Sequence, residues 1–396
     1  MKAVILAAGE GTRLRPFTAS EPKVMIPVAN KPIIQFVVES LVANGITDII
    51  MVVGYKRRSI MSYFGNGDEF GARIEYVNEE KQLGTAHALY QAKGKINERF
   101  VLLPGDNVIS KMAISDILKD EADYSVLITS SEEPSKYGVI SMKNGVVSDV
   151  VEKPEKSPSH LISTGIYVLQ PNIFDYIEEM QQKQVYDMTT VISRLMQDHE
   201  LKGIITESTW IDAVHPWDLI PLNSTALSSM VKSSGGIIEK GVIIKGNVTI
   251  GQGTEIKAGT YIEGPVIIGE GCEIGPHACI LPSTSVGADS KISPFTILRN
   301  SLIMKGVEIG PNSNILRCVI GDGVRIGSNF SSHVGGVDKI VGKEVKTIER
   351  IGCMISEDTK IGSGVTVKEG VIIGSTCTVG SGATVRENIP SFTKVV

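Results

Sequence analysis

Apolar segments alternate with helical patterns over roughly the first 225 residues. The short apolar runs read KAVILA, IIMVVG, FVLLPGD, YSVLIT and STGIYVL, and their length and apolar content are typical of buried strands. The segment PIIQFVVESLVANG carries apolar residues at helical spacing, begins with Pro32 and ends at Gly45. This alternation predicts an α/β domain with a largely parallel sheet and with ligands at the carboxyl ends of its strands.

From Ile238 onward an aliphatic residue recurs at every sixth position. The series runs through Ile244, Ile250, Ile256, Ile262, Ile268, Ile274, Ile280, Val286, Ile292 and Leu298, resumes after one slip as Ile303, Ile309 and Ile315, and returns as Ile355, Ile361, Val367, Ile373, Val379 and Val385. Neither a helix nor an alternating strand keeps this period. A coil with three flat faces does, with the aliphatic side chains inside and glycines at the corners.

The change of pattern predicts two domains, at 1–225 and 237–396, joined by a linker over 226–236 that contains SSMVKSSGG. The first domain is α/β and the second is all-β. The stretch SNFSSHVGGVDKIVGKEVKTIER breaks the period of six. We expect it to form a loop extruded from the coil near 329–350.

Composition excludes some partners. The 396 residues carry a net charge of -5, which gives no general attraction to nucleic acid or to anionic membranes. No apolar run has the length of a membrane span, and Met1 and Lys2 lead into a strand without a signal-like leader, so we expect a cytoplasmic protein. The five cysteines lie in the second half, none in a CxxC pair, and we expect reduced packing residues.

The first strand ends in a loop that reads LAAGEGTRLRPFTASEPKVMIP. Gly9 and Gly11 let the backbone approach a ligand closely, while Arg13, Arg15 and Lys23 supply positive charge on the same segment. Together they suit a triphosphate. The spacing matches neither GxxxxGK[ST] nor GxGxxG, so the loop does not imply either of those nucleotide-binding folds.

Two further strand ends carry a carboxylate. Asp106 follows the apolar run in FVLLPGDNVI, and Asp212 lies in TWIDAVHPWDL. Magnesium prefers oxygen ligands and keeps several waters, so two carboxylates together with phosphate oxygens suffice to bind it. These aspartates are the candidate ligands of a Mg²⁺ cofactor.

The combination GxGTRLRP with a downstream PK resembles the signature loop of the sugar-1-phosphate nucleotidyltransferases, also called nucleotide-sugar pyrophosphorylases. The resemblance implies a Rossmann-like domain with a mixed sheet, in which a sugar phosphate oxygen attacks the α-phosphorus of a nucleoside triphosphate and pyrophosphate leaves. It implies that Arg13 holds the β- and γ-phosphates, that Lys23 holds the α-phosphate or the sugar phosphate, and that Asp106 and Asp212 bind the metal. The candidate substrate contacts in the loop are Ala8, Gly9, Gly11 and Thr12.

The segment NEEKQLGTAHAL resembles the base-reading segment of this family. Its candidate contacts are Glu79, Gln82, Gly84 and Thr85. Glu79 stands where uridylyltransferases typically carry glutamine, and an ionised carboxylate only accepts hydrogen bonds, which suits guanine N1–H and N2–H₂. UTP or dTTP is the expected nucleotide, and a GTP-dependent mannose-1-phosphate guanylyltransferase is the alternative.

Three segments resemble the family's hexose pocket: KYGVI, VVEKPE and STGIYVL. They supply Gly138, Glu152, Lys153 and Thr164, with Glu152 accepting from sugar hydroxyls and Lys153 reaching the sugar phosphate. Ser163 stands where enzymes for N-acetylglucosamine usually have asparagine. The expected acceptors are glucose 1-phosphate and N-acetylglucosamine 1-phosphate.

The coil resembles the left-handed hexapeptide β-helix, whose members commonly form trimers through their flat faces. Archaeal nucleotidyltransferases of this length carry such a coil, and bifunctional members use it to acetylate glucosamine 1-phosphate from acetyl-CoA. Their catalytic histidine corresponds here to Pro311 or Asn312, and their tyrosine to Asn314. His333 is the nearby substitute for a general base.

We therefore expect the coil to act as an assembly module of a homotrimer. Three alternatives remain open: a bifunctional enzyme, an acyltransferase whose first domain only positions substrate, and a non-catalytic regulatory subunit. The set of Arg13, Lys23, Asp106 and Asp212 argues against the last of these.

Overall fold

The computed structural model of the chain describes residues 1–230, 232–341 and 344–396. It describes the side chains of all residues except 231 and 340–344. Its internal contacts divide it into two compact units. The first comprises 1–10, 21–25 and 32–212, and the second 11–20, 26–31 and 213–396. The predicted linker includes residue 231 and the predicted extruded loop includes 342 and 343, and these three residues lie outside the described part.

Thirteen strands lie between residues 1 and 212, all of which are described. They are β1 (Lys2–Ala7), β2 (Pro27–Val28), β3 (Lys31–Pro32), β4 (Asp48–Val53), β5 (Arg73–Asn78), β6 (Phe100–Pro104), β7 (Asn107–Ile109), β8 (Ser125–Ser130), β9 (Gly138–Lys143), β10 (Val146–Glu152), β11 (Leu161–Leu169), β12 (Lys202–Ile205) and β13 (Trp210–Asp212). The α-helices of the described chain are α1 (Ile33–Val42), α2 (Arg57–Phe64), α3 (Thr85–Tyr90), α4 (Lys111–Leu118), α5 (Ile173–Gln182), α6 (Met188–Leu195) and α7 (Leu219–Ser228).

Nine of these strands form one sheet, in the order β5-β4-β1-β6-β11-β8-β12-β10-β9. The pairs β5/β4, β4/β1, β1/β6 and β8/β12 are parallel. The pairs made by β11 and β10 are antiparallel, so the predicted mixed sheet is confirmed. The parallel strands β1 and β6 end side by side, which places the loop after Ala7 and the turn before Asp106 at the same edge of the sheet.

The apolar faces of this sheet are covered by helices on both sides. Strand β1 is almost entirely buried, as a continuous apolar run in an α/β layer requires. Helix α1 begins after Pro32 as predicted, and its C-terminal turn closes at Gly45, whose φ of 77° lies in the left-handed region that favours glycine. Seven of its residues are buried, and this apolar stripe packs against the sheet.

The second unit contains a left-handed parallel β-helix with three faces. One face carries β14 (Ser233–Ser234), β17 (Val248–Ile250), β20 (Val266–Ile268), β23 (Thr284–Val286), β26 (Leu302–Ile303), β29 (Val319–Ile320), β34 (Met354–Ile355) and β37 (Ile372–Ile373). The next carries β15 (Ile237–Ile238), β18 (Glu255–Ile256), β21 (Glu273–Ile274), β24 (Lys291–Ile292), β27 (Glu308–Ile309), β30 (Arg325–Ile326), β35 (Lys360–Ile361), β38 (Thr378–Val379) and β40 (Lys394–Val395). The third carries β16 (Ile243–Lys245), β19 (Tyr261–Glu263), β22 (Cys279–Ile280), β25 (Ile297–Arg299), β28 (Asn314–Leu316), β31 (Ser331–Ser332), β36 (Thr366–Val367) and β39 (Thr384–Val385).

From Ile250 onward the aliphatic residues of the predicted series fill the interior of this β-helix, whereas Ile238 on its first turn is 41% exposed. Residues of the predicted series such as Ile256, Ile274 and Ile292 stack in register on successive strands and are buried. Within the described part of the chain, no helix is long and apolar enough to cross a membrane.

One turn of the coil was missed by the periodicity. Ile320, Ile326 and Ser332 lie on β29, β30 and β31, before the hairpin of β32 (Gly335–Val341) and β33 (Glu344–Ile351). The step from Ile315 to Ile320 is five residues, and Ser332 replaces an aliphatic residue. Its hydroxyl donates to the carbonyl of Asn314 at 3.2 Å and accepts from the amide of Leu316 at 2.9 Å, which satisfies it inside the coil.

Segment 26–31 is held to the coil by Asn223 of α7, and all of these residues belong to the second unit. The side-chain oxygen of Asn223 accepts from the amide of Ala29 at 2.8 Å and from the hydroxyl of Ser285 at 2.9 Å. Its amide group donates to the carbonyl of Ser283 at 3.4 Å. Because Asn223 is buried, each of these bonds satisfies a group that water does not reach.

All five cysteines are free, and Cys272, Cys318, Cys353 and Cys377 are buried inside the coil. The sulfur atoms of Cys318 and Cys353 lie 3.6 Å apart on neighbouring turns. The cysteines therefore pack as small apolar side chains, in agreement with the sequence prediction.

Candidate active site

A two-stranded ribbon brings the two candidate metal ligands together. Strand β13 pairs antiparallel with β7, and in this register Asp212 faces Asn107. Asp106 immediately precedes Asn107, in the turn that follows β6. Gly105 suits this turn, because a Cβ there would lie only 3.1 Å from the carbonyl oxygen of Leu6. The ribbon therefore places two carboxylates from distant parts of the sequence side by side.

Lys23 bridges these carboxylates. Its Nζ lies 2.6 Å from Oδ2 of Asp106 and 2.7 Å from Oδ1 of Asp212. The Lys23 side chain is only 12% exposed, and those of Asp106 and Asp212 are 31% and 16% exposed. Charge-assisted bonds of this kind are short and strong, so the three side chains form one fixed group.

The environment keeps Lys23 protonated. Burial acts to lower the pKa of its ammonium group, but the charges and hydrogen bonds of Asp106 and Asp212 outweigh burial and raise the pKa well above its usual range. Lys23 is thus a permanent cation at physiological pH. It offers a fixed positive charge to an anionic ligand.

The donor set around this group fits a divalent cation. Asp106 and Asp212 reach one common atom, so their oxygens are near enough to share an ion of this kind. The side-chain oxygen of the neighbouring Asn107 is buried and has no hydrogen-bond partner among the described residues. Among the described residues, no group of three or more His, Cys, Asp or Glu side chains is arranged to bind a metal. Magnesium sites in proteins commonly combine one or two carboxylates with substrate phosphates and waters.

The glycine loop starts at the same sheet edge. The carbonyl of Ala8 accepts from the amide of Tyr55 at 3.0 Å, which fixes the end of β1. A Cβ on Gly9 would meet nothing within 4 Å, so this glycine leaves the backbone open to a ligand. Gly11 has a φ of 73°, which favours glycine.

From Gly11 to Ser20 the loop belongs to the second unit. Its residues Thr12–Leu14 form a 3₁₀ turn in which Leu14 is buried. Thr12, Arg13 and Arg15 are exposed. Buried Leu14 thus anchors this turn, while the side chains of Arg13 and Arg15 remain exposed.

Glu79 is buried against His87. It is 4% exposed, and its Oε1 lies 2.6 Å from Nδ1 of His87, on α3. Burial raises the pKa of Glu79, and the hydrogen bond and charge of His87 oppose that rise. One of the carboxylate oxygens is therefore occupied by an internal partner.

The rest of the base segment is more accessible. Gln82 is exposed, and Gly84 approaches Tyr186 so closely that a Cβ would lie 2.5 Å from the Tyr186 carbonyl oxygen. The hydroxyl of Thr85 accepts from the amide of Met188 at 3.0 Å. Thus Gly84 and Thr85 tie the start of α3 to the 186–188 segment.

Three of the candidate sugar-binding residues lie close together: Gly138 on β9, Glu152 on β10, and Lys153 directly after β10. Gly138 faces Glu152 in the β9/β10 register. The Glu152 carboxylate accepts from the hydroxyl of Thr189 at 2.8 Å and lies 2.7 Å from Nζ of Lys153. Both charged side chains remain partly exposed, so the cluster is open to a polar ligand.

Thr164 differs from the other sugar candidates. It is buried, and its hydroxyl donates to the carbonyl of Leu127 at 2.8 Å. The neighbouring Ser163 lies 3.0 Å from the hydroxyl of Tyr167. The Ser163 side chain is half-buried, and its Cβ lies 3.8 Å from the position that a Cβ on Gly138 would take.

The candidate acetyl-transfer positions lie in the second unit. His333 is exposed, with its Nδ1 3.2 Å from Nζ of Lys368. Asn312 forms a corner of the coil with a φ of 55°, and Asn314 has a buried side-chain oxygen without a partner among the described residues. Asn312 is thus a corner residue, and Asn314 takes an outward position on β28, in register with Ile297.

Sequence reasoning missed several neighbours of the candidate residues. His87, Asn107, Tyr186 and Thr189 contact or adjoin Glu79, Asp106, Gly84 and Glu152, respectively. His87 and Asn107 lay within quoted motifs, as the histidine of GTAHA and the asparagine of PGDN. Tyr186 and Thr189 are about 100 and 40 residues from their partners, and no local pattern marks them.

The chain matches three family models. Residues 2–228 match the nucleotidyl transferase model, residues 262–352 the GMPPB C-terminal domain model, and residues 352–387 the bacterial transferase hexapeptide model. The first match covers more than half of the chain.

Curated relatives and a solved structure agree with these matches. The Bifunctional protein GlmU of Methanococcus maripaludis is 37% identical over 386 residues, which are 95% of this chain and 92% of that protein. The bifunctional sugar-1-phosphate nucleotidylyltransferase/acetyltransferase of Sulfurisphaera tokodaii is 35% identical over 391 residues, 95% and 94% of the two chains. The structure of a putative glucose-1-phosphate thymidylyltransferase from Bacillus anthracis in complex with a sucrose superposes with a TM-score of 0.55 at 29% identity, covering 59% of this chain and 98% of that one.

The folds of the two units, the family matches and the relatives point to one class of enzyme. The resemblance predicted from GxGTRLRP and the hexapeptide series is confirmed. Enzymes of this family generally use a divalent metal and act on nucleoside triphosphates and sugar phosphates. This chain belongs to the nucleotidyl transferase family and carries a hexapeptide β-helix on the same polypeptide.

Proposed function

We propose that this enzyme transfers a nucleoside monophosphate from UTP or dTTP to a hexose 1-phosphate, with Mg²⁺ as the metal, and releases pyrophosphate. The observation that carries the proposal is the bridge from Lys23 to Asp106 and Asp212. The buried lysine offers a positive charge to the two anionic reactants. The two carboxylates offer negative charge to a divalent ion.

In the proposed reaction an oxygen of the sugar phosphate forms a bond to the α-phosphorus of the triphosphate. The bond from that phosphorus to the oxygen bridging to the β-phosphate breaks, and its electron pair leaves with pyrophosphate. Lys23 offsets charge at the α-phosphate or the sugar phosphate, and Arg13 holds the β- and γ-phosphates. Asp106 and Asp212 would hold the Mg²⁺, which would supply charge neutralisation. Catalysis rests on positioning and electrostatics.

The backbone and polar side chains around the loop complete the proposed triphosphate site. We assign the remaining triphosphate contacts to Ala8, Gly9, Gly11 and Thr12, because glycines in such a loop allow backbone amides to approach phosphate oxygens.

The pairing of Glu79 with His87 supports a pyrimidine nucleotide. A carboxylate with one oxygen already taken is a poor match for the two adjacent donors of guanine, which would need both oxygens. We assign base recognition to exposed Gln82 and to the backbone near Gly84 and Thr85. GTP with mannose 1-phosphate remains the second pair of substrates to test, because Glu79 is a carboxylate.

We assign the hexose to the cluster of Gly138, Glu152 and Lys153, with Thr164 acting through the backbone, since its hydroxyl is bound to Leu127. Glucose 1-phosphate and N-acetylglucosamine 1-phosphate are the proposed acceptors. A glycine at 138 keeps the floor of this cluster open next to Glu152.

Acetyl transfer in the β-helix is a second candidate function, favoured by the bifunctional relatives. Its proposed reaction moves an acetyl group from acetyl-CoA to the amine of glucosamine 1-phosphate and frees the thiol. Its general base would be His333, which is exposed near Lys368. Thiol release that disappears in His333→Ala would support this candidate, and release that persists would exclude His333 from it.

The test is a panel of nucleotides against sugar 1-phosphates, with pyrophosphate release as the readout. The purified protein is incubated with UTP, dTTP, GTP, ATP and CTP, each with glucose, N-acetylglucosamine or mannose 1-phosphate. We expect release only when a triphosphate, a sugar 1-phosphate and Mg²⁺ are all present, with UTP or dTTP preferred. Release without a sugar 1-phosphate, or undiminished release with excess chelator, would contradict the proposal.

A further inference from the structure

A cavity of about 500 Å³ is lined entirely by residues of the second unit, none of which was assigned a role above. Its wall is formed by the turn at Pro216–Asp218, the start of α7, the coil corners at Asn300 and Arg317, and hairpin strand β33. Cavities of this size accommodate ligands of metabolite size.

Three cationic side chains belong to the wall of this cavity. Arg317, Lys346 and Arg350 line it, and the Nε of Arg317 donates to the backbone carbonyl of Arg350 at 2.9 Å. Two acids also line the cavity. The carboxylate of Asp218 accepts from the amides of Val214 and His215, which uses its charge locally, and Glu349 is exposed.

The arginines are crowded. Burial lowers the pKa of Arg317, and repulsion from Arg350 and from Arg299 lowers it further. In the described part of the chain, neither Arg317 nor Arg350 forms an ion pair with a carboxylate. Like charges held together without a counterion are unfavourable, and a bound anion would relieve the repulsion.

The cavity also offers apolar and unpaired polar groups. Trp217 and Ile220 line it, and the Trp217 ring stacks on that of His215 at a centroid distance of 4.7 Å. The indole Nε1 of Trp217 and the side-chain oxygen of Asn300 are buried without a hydrogen-bond partner among the described residues. Buried polar atoms are nearly always satisfied, so these two are candidate ligand contacts.

We propose that this cavity binds an organic phosphate monoester, with its phosphate held by Arg317 and Arg350 and its apolar part against Trp217. Guanidinium groups bind phosphate oxygens through paired, charge-assisted hydrogen bonds, which is why two arginines favour phosphate over a neutral ligand. None of the lining residues belongs to the nucleotide site proposed above, and this inference does not depend on that site.

The test compares AMP with adenosine, because the two differ only in the phosphate. Trp217 provides the readout in the full-length Trp210→Phe protein, which contains one tryptophan, and calorimetry on the same samples records binding that leaves the indole emission unchanged. We expect saturable binding of AMP, weaker binding of inorganic phosphate and none of adenosine. Binding should persist in the Lys23→Ala background, which separates this cavity from the proposed nucleotide site.

Two variants remove the proposed contacts one at a time. Arg317→Gln and Arg350→Gln should each weaken AMP binding at least about tenfold, since each removes charge-assisted hydrogen bonds. Arg325→Gln, an exposed arginine on β30 outside the cavity, is the matched control and should leave binding unchanged. Because Arg350 is exposed, its variant tests the proposal even if Arg317→Gln does not fold. Equal binding of adenosine, no saturable binding, or undiminished binding in the Arg350→Gln protein would overturn the proposal.

Discussion

The central contact of the molecule joins residues that no local pattern connects. Lys23 lies 83 residues from Asp106 and 189 residues from Asp212. Each of the three was identified from its own motif as a strand-end or loop residue. Their meeting depends on the pairing of β7 with β13, a register that the sequence does not reveal.

Replacing Lys23 with alanine should lower kcat/KM for pyrophosphate release by roughly 10²–10³-fold, the effect of removing a preorganised stabiliser of developing charge. Lys119→Ala is the control, because Lys119 is 66% exposed and forms a surface ion pair with Asp116, three residues earlier. Steady-state kinetics on both variants measures the effect. Equal activity of the two variants would show that Lys23 has only a structural role.

Glu79 gives stability a predictable dependence on pH. Its pKa in the folded protein is raised above the ordinary value of 4.5, so the folded state holds this proton more tightly than the unfolded state does. The stabilisation that the Glu79 carboxyl contributes is therefore present at low pH. It is lost as the pH rises through the pKa of this carboxyl in the folded protein. Glu79→Gln, which does not titrate, should gain stability relative to the wild-type protein over that window.

Thermal unfolding at a series of pH values from about 4.5 upward measures this difference. Exposed Glu80→Gln serves as the control and should follow the wild-type curve. A Glu79→Gln curve parallel to that of the wild-type protein would mean that His87 fully compensates the buried charge.

At the scale of elements, periodicity predicted more than it missed. Every aliphatic residue in the predicted series lies on a strand of the coil, because a repeat of six is a local property of the chain. The turn at Val319–Ser332 was missed, since one residue is deleted after Ile315 and a serine takes an interior place. The order of the nine-stranded sheet was likewise outside local reasoning, because it is set by long-range pairing.

Strand β24 offers a matched pair for testing the interior of the coil. Ile292 is buried and its neighbour Lys291 points outward. Ile292→Ala should cost about 2–5 kcal/mol of unfolding free energy, because it leaves a cavity where neighbouring turns stack. Lys291→Ala removes one surface ion pair, with Glu273, worth at most about 1 kcal/mol. Chemical denaturation distinguishes the two, and equal losses would contradict the assigned interior.

At the scale of the whole molecule, one face of the coil suits self-assembly. Outward positions on β16, β19, β22 and β25 stack in register as Ile243, Tyr261, Cys279 and Ile297. Ile243 and Ile297 are exposed. The corresponding positions of the β15 face include Glu255, Glu273 and Lys291, which are charged. A row of apolar side chains on one face favours contact between copies of the chain.

We expect the protein to elute at about three times its chain mass of 42.5 kDa, with Ile297→Glu shifting it to the monomer. Light scattering coupled to gel filtration measures the mass. Thr378→Glu, on the β15 face, is the control and should keep the trimer. A monomeric wild-type protein would remove the assembly role proposed for the coil, and a trimeric Ile297→Glu protein would place the interface elsewhere.

The most direct test of the proposed active site is pyrophosphate release by Asp106→Asn, assayed with UTP or dTTP, a sugar 1-phosphate and Mg²⁺. Asn keeps the size of the side chain but removes the charge that pairs with Lys23 and would bind the metal. Asp149→Asn, an exposed position on β10, is the matched control. We predict near abolition of release in Asp106→Asn and normal release in Asp149→Asn. Wild-type activity in Asp106→Asn would contradict the claim that this site brings two anionic reactants together with a divalent ion.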